Sequence, residues 1–205
     1  MRYLILVVIV ALESYALSDN SGLLRKKYNC GFMGYYTSLS NIVVWLYFLL
    51  VLVGVKGLDK SIFSFTVTSC IMLPFLIYHF LLSPLIINDY RNGKGWNPYT
   101  LVNYSLHYIC PLLTFVYWLF FTDKRDLSYS NAFIWTILPL IYCAYVFVRA
   151  KLGIYFDKAK TQKYPYDFLD ADKYGIKRIL VNIVVIYIVF VLLGLLLVWF
   201  GLLFK

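Results

Sequence analysis

Long runs of apolar residues alternate with short polar stretches, in six blocks at approximately 3–17, 36–55, 62–87, 99–121, 131–148 and 179–204. A helix needs about 20 apolar residues to cross a bilayer core of about 30 Å, and several blocks reach that length. The pattern predicts an all-α protein with one domain over residues 1–205, an integral membrane bundle of six transmembrane helices. The first block is the shortest, and two readings of it stay open. Arg2, the apolar run and Ala16-Leu17-Ser18 mimic the three regions of a signal peptide, whereas Glu13 inside the run favours a retained helix. Pro74 and Pro84 fall in the third block, Pro111 in the fourth and Pro139 in the fifth. Each removes a backbone donor and frees a carbonyl that a neighbour must satisfy. These helices are therefore expected to kink or end at proline and to pack on one another.

Composition strengthens this picture. Hydrophobic residues make up 62% of the chain and charged ones 14%, against about 25% charged in soluble domains. The net charge of +9 would suggest nucleic acid in a soluble protein. Here the cations lie mainly between the apolar blocks, where anionic lipid head groups are the expected partner and nucleic acid is not. Six spans divide all 19 Lys and Arg between two faces. One face takes Arg2, Lys56, Lys60, Lys124, Arg125 and Lys205; the other takes the remaining thirteen, in loops 1–2, 3–4 and 5–6. The positive-inside rule makes the more basic face cytoplasmic in a multi-pass protein of the cell membrane. The stretch from Arg149 to Arg178, which includes Lys158, Lys160 and Lys163, is too short and charged to bury a core of its own. Cys70, Cys110 and Cys143 fall within apolar blocks and read as buried thiols, while Cys30 lies in a loop without an evident partner. No metal site or cofactor is expected.

Polar groups inside a membrane are costly and by default mark a site. Glu13, Thr37, Asn41, His79, Asn103, His107 and Asn182 all belong to the half of the bundle nearer the basic face. At about 1.5 Å per residue, His107 lies roughly 12 Å below the start of the fourth helix. One polar cavity opening toward the basic face is the expected arrangement. Each residue also has a plain structural reading: Thr37 as a helix cap, Asn41 as interhelical glue, His79 as an interfacial side chain, and Glu13 snorkelling to the head groups. Tyr164-Pro165-Tyr166-Asp167-Phe168-Leu169-Asp170 reads on its own as an interfacial amphipathic turn.

Three of these stretches also carry a resemblance. Tyr36-Thr37-Ser38-Leu39-Ser40-Asn41 is similar to a Phe-Thr-x-x-Ser-Asn signature. Leu106-His107, followed by Pro111-Leu112-Leu113, is similar to a Leu-x-His-x-x-x-Pro-Leu-Leu helix, and Tyr164 to Asp170 to a Tyr-Pro-Tyr-x-Phe-Leu-Asp loop. Together, in order and spacing from about Phe32 to Asn182, they resemble a family of predicted six-helix bacterial membrane proteins. Its eukaryotic relatives are the androgen-induced gene product and the androgen-dependent TFPI-regulating protein. In the characterised eukaryotic members, a membrane-embedded Thr and His are needed to hydrolyse esters of fatty acids with hydroxy fatty acids. The resemblance implies a lipid-ester hydrolase with Thr37 as nucleophile and His107 as base, acting on an acyl ester, with Tyr164, Pro165, Tyr166, Phe168 and Asp170 on a substrate-side loop. Asn41 or Asn103 is a candidate oxyanion donor, and Glu13 or Asp170 a candidate acidic partner for the His. The chain departs from the family in its longer, more basic segment after the fifth helix. The competing expectations are a non-catalytic lipid-binding or transport protein and a scaffold whose polar residues only lock helices together.

Overall fold

The computed structural model describes residues 1–29, 31–58, 60–156 and 160–205. Cys30 and Lys158 lie outside the described residues. The fold is all-helical, with no strand among the described residues. Six principal helices follow the apolar blocks: α1 (Arg2–Asn20), α2 (Tyr36–Leu52), α3 (Ser61–Arg91), α4 (Leu101–Phe121), α5 (Asn131–Lys151) and α6 (Ile176–Leu202). Five of them, all but α2, are long and apolar enough to cross a membrane. Helix α2 is apolar but has 17 residues, which at 1.5 Å each span about 26 Å. The hydrophobic run continues beyond it to Val55, but Gly54 takes a left-handed φ of +82° and ends the helix early. Similarly, α6 begins at Ile176, before the block predicted for it, because Gly175 at φ +74° separates it from a short helix, Ala171–Tyr174.

The prolines shape the helices without ending them. A π-turn at Tyr78–Leu82 precedes Pro84, and a second at Ser105–Ile109 precedes Pro111. Ahead of Pro139 the helical ladder is interrupted at Trp135 and Thr136. In each case the proline cannot donate to the carbonyl four residues back, that of Phe80, His107 or Trp135. Widening or tightening the preceding turn redistributes those bonds; the Trp135 carbonyl, for example, accepts from Leu138 N–H at 3.2 Å. Pro74, expected to act in the same way, sits inside the unbroken stretch Ser61–Ile77.

Helices α3 and α4 both contribute to the two largest of the four apolar centres among the described residues. Leu6 and Ile9 of α1, Val44 and Phe48 of α2, Ile71 of α3 and Tyr117 of α4 form one. Phe65 and Leu73 of α3, Trp118 of α4, Trp135 of α5 and Leu197 and Val198 of α6 form the other. Elsewhere α6 is largely exposed, as a lipid-facing helix would be. Its approach to α5 depends on a missing side chain. A Cβ at Gly194 would stand 2.9 Å from both the Cα and the carbonyl oxygen of Ala132 and would press on the Trp135 indole nitrogen. Small residues permit such close helix contacts in membranes, where van der Waals packing replaces the hydrophobic drive. The loop after α4 is fixed by Lys124, whose buried ammonium donates to the Trp118 and Leu119 carbonyls, each at 2.7 Å, and to Thr122 at 3.2 Å.

Gly194→Leu is expected to destabilise the protein by about 1–3 kcal/mol through overpacking. A thermal-shift assay in detergent should show the loss, with Val189→Leu on the exposed face of α6 leaving the midpoint unchanged.

Candidate functional site

The first turn of a helix has N–H groups with no partner of their own. At the start of α2 one of these is met from far along the chain: Tyr36 N–H donates to the Tyr166 hydroxyl at 3.2 Å. The loop carrying Tyr166 is held by its neighbours. Tyr164 is buried against Phe147 of α5, with ring centroids 6.2 Å apart. Asn182 of α6 donates to the Phe168 carbonyl at 2.9 Å, and Tyr166 and Phe168 stack at 5.3 Å with rings 4° from parallel. The Asp170 carboxylate accepts from Lys173 N–H at 3.0 Å and so caps the short helix that follows. Asp167 receives Lys173 at 2.7 Å and the Tyr174 hydroxyl at 2.6 Å. The result is a docked loop that places the Tyr166 phenol beside the hydroxyls of Thr37 and Tyr142.

His107 is positioned by the second π-turn. Its ring stacks on Tyr78 of α3, with centroids 3.9 Å apart and planes 19° from parallel. Asn103, one turn earlier, donates to the Tyr78 hydroxyl at 2.6 Å and to the Pro98 carbonyl at 2.9 Å, steadying the ring on which the imidazole lies. The Nδ1 atom of His107 is buried and has no hydrogen-bond partner.

Asn41 links these two regions. Its amide donates to the Thr37 carbonyl at 2.7 Å and across to the Leu106 carbonyl at 3.3 Å. Thr37 and Asn41 are one turn apart and share a face of α2. That face therefore looks toward the π-turn that bears His107. No hydrogen bond joins the Thr37 hydroxyl to the His107 ring among the described residues.

Other expected members lie elsewhere. His79 is exposed, with Nδ1 3.4 Å from the Tyr108 hydroxyl. Asn182 and Asp170 serve the loop, and no hydrogen bond or ion pair joins Asp170 to His107 among the described residues. Neither asparagine is a free donor, because both amides are already committed; the unpartnered atom of Asn41 is its acceptor oxygen. Glu13 does not snorkel. It is fully buried, both carboxyl oxygens lack a hydrogen-bond partner, and the nearest polar group is the Cys110 thiol, one turn beyond His107. The Tyr-Pro-Tyr motif had marked Tyr166 as part of a substrate-side loop, but not that its hydroxyl meets the first turn of α2.

A separate cleft lies between α2 and α5. It encloses about 320 Å³ and is bounded by Met33, Tyr36, Val43, Cys70, Leu138 and Tyr145, among others. Its walls are apolar, and neither Thr37 nor His107 lines it, so it is not the polar cavity that the sequence suggested. No family model, curated protein or solved structure matches this chain.

Burial pushes the Tyr166 phenol up to about 12, so it carries its proton throughout the neutral range. Because this value is raised, the stability that docking contributes is full below about pH 10, the unfolded value, and is lost as pH rises toward 12. Tyr166→Phe is expected to cost about 1 kcal/mol, one net hydrogen bond, and to expose the loop. Proteinase K cleavage within residues 164–174 measures this: fast in the variant at pH 8, slow in the wild type to pH 10 and accelerating above it. Equal protection of both proteins at pH 8 would remove Tyr166 from the site.

Proposed function

We propose that the chain is a six-helix protein of the cell membrane that hydrolyses an acyl ester within the bilayer, with Thr37 as nucleophile and His107 as base. The observation that supports this reading best is the Asn41 bridge, which turns the Thr37 face of α2 toward the His107 π-turn. The resemblance of the three motifs to the androgen-induced gene product family points to the same pair. In this scheme the basic face, carrying loops 1–2, 3–4 and 5–6, is cytoplasmic, and α2 spans with local thinning or by burial within the bundle.

The chemistry would run in two steps. Thr37 Oγ attacks the ester carbonyl while His107 takes its proton, and the tetrahedral intermediate collapses by breaking the bond to the alcohol oxygen, which receives the proton from His107. Water, deprotonated by the same imidazole, then attacks the acyl-threonine and releases the fatty acid. The protonated Tyr166 hydroxyl, beside Thr37, is the group suited to donate to the developing oxyanion. Substrate or one water must close the gap between Thr37 and His107, as commonly occurs when catalytic hydrogen bonds tighten on binding. Among the described residues no carboxylate is hydrogen-bonded to His107. Its ring is held by stacking on Tyr78, and the scheme relies on that contact for orientation.

The apolar cleft favours a second reading, a lipid-binding protein without turnover. Purified protein in detergent, given a panel of lipid esters including fatty acid esters of hydroxy fatty acids, separates the two. Thr37→Ala and His107→Ala are each expected to lower turnover by at least about 10²-fold, the usual range for a nucleophile or general base. Tyr166→Phe should reduce kcat by about tenfold or more with little change in KM. Equal turnover in the wild type and both variants would refute Thr37 and His107 as the catalytic pair, and no turnover in the wild type would leave the lipid-binding reading.

A further inference from the structure

The cleft between α2 and α5 belongs to none of the groups used above, and its construction points to a ligand. Two phenols that would make its upper end polar are turned away. Tyr142 donates to the Gly34 carbonyl at 2.8 Å, and Tyr145 donates to the Met33 carbonyl at 3.0 Å. These bonds tie α5 to the turn before α2 and leave carbon on the walls. The cleft runs along α2 from Tyr36 to Val43, about 10 Å at 1.5 Å per residue, and its rim opens outward. Met33, Val43 and Ile141 are 41%, 37% and 58% exposed. In a chain whose helices suit a membrane, that opening faces lipid.

The floor differs from the walls. Tyr36 and Cys70 meet there, and the buried Tyr36 hydroxyl has no hydrogen-bond partner. Buried polar atoms without partners are few in native folds and call for an explanation. The cleft also begins one residue from Thr37, since Tyr36 lines it and Ser40, another lining residue, donates to the Thr37 carbonyl at 3.0 Å. Its volume of about 320 Å³ holds roughly ten groups of the size of a water molecule, at about 30 Å³ each, and a methylene is of similar size.

We propose that this cleft is a lateral binding site for a single lipid acyl chain, which enters between α2 and α5 and lies along α2 with one end at the turn carrying Thr37. This site deepens the hydrolase reading by assigning where its acyl group would rest, but the site itself does not need Thr37 to be a nucleophile. Shape and polarity select the occupant. A straight apolar chain fills an apolar groove that opens toward lipid, and its polar end would meet the unpartnered Tyr36 hydroxyl beside Thr37. The length of the groove also gives it a means of selecting chain length, with Val43 and Leu138 at the end remote from Thr37.

The test uses full-length protein in phosphatidylcholine nanodiscs, with a fatty acid or a phosphatidylcholine bearing a diazirine in its acyl chain, followed by irradiation and peptide mapping. Labelling is expected at residues 33–43 and 138–145 by at least one probe, at several times the level on Val184 and Ile188, which are exposed on α6. Excess unlabelled acyl chain of the same class should suppress the cleft label and spare the α6 label. Whichever probe dominates identifies the source as free acid or phospholipid. Val43→Trp and Leu138→Trp, each filling the groove, should cut the cleft label at least fivefold, and Thr37→Ala should leave it unchanged. Labelling spread evenly over cleft and α6, or a cleft label that excess chain fails to suppress in the wild type, would overturn the proposal. The wild-type competition does not depend on any variant folding. A cleft label retained in a Thr37→Ala protein whose turnover matches the wild type would defeat the hydrolase while upholding the site.

Discussion

Within a bilayer no water waits to satisfy a backbone group that a helix leaves unpaired, and the whole molecule is arranged around that constraint. Four prolines inside predicted spans each remove one donor, and three of them change the turn before them. The chain answers with a π-turn before Pro84, another before Pro111 and a tightened turn before Pro139. Those irregular turns are where the functional side chains collect. Tyr78 opens the first π-turn, His107 lies in the second, and the ring of one stacks on the ring of the other. Pro111 is thus as much part of the candidate site as His107, because the wide turn it imposes sets the direction of the imidazole.

The same accounting explains the contacts between helices. Asn41 offers its amide to two carbonyls, one on its own helix and one at the π-turn. Asn103 and Lys124 likewise spend their donors on carbonyls at the irregular or terminal turns of α4. Polar side chains that looked like a pool of catalytic groups are in large part structural donors. Among the candidate polar groups, the buried atoms left without a hydrogen-bond partner are His107 Nδ1, the Asn41 oxygen and the Glu13 carboxyl oxygens. The carboxyl of Glu13 is the costliest of these to bury, since an unpaired ionised group would carry several kcal/mol of desolvation.

Much of the architecture was legible in the apolar blocks, because a span needs only length and hydrophobicity. The six helices fall where the blocks lie, and boundaries shifted where glycine rather than hydrophobicity set the end, as at Gly54 and Gly175. The effect of each proline was half legible: that it perturbs the helix follows from its missing N–H, but whether the turn widens, tightens or absorbs the loss depends on neighbours that a sequence does not show. Depth along the helix correctly set Thr37 and His107 in the same half of the bundle. It could not show that Asn103 and Asn41 are already bonded, that Glu13 turns inward, or that Asp170 caps a short helix. The Tyr164–Asp170 motif marked Tyr166 without showing its role: a loop residue 130 positions from Tyr36 reaches the start of α2 only through tertiary docking, for which no local pattern exists.

In the proposed hydrolase the hydroxyl of Thr37, activated by His107, is the reactive group. The most direct measurement treats the membrane-embedded protein with a fluorophosphonate carrying an alkyl chain and locates the adduct by peptide mass. A single phosphonyl group on Thr37, absent from the His107→Ala protein although that protein remains folded, is the predicted result. Modification at another residue, or no adduct in wild-type protein that turns over lipid esters, would contradict it.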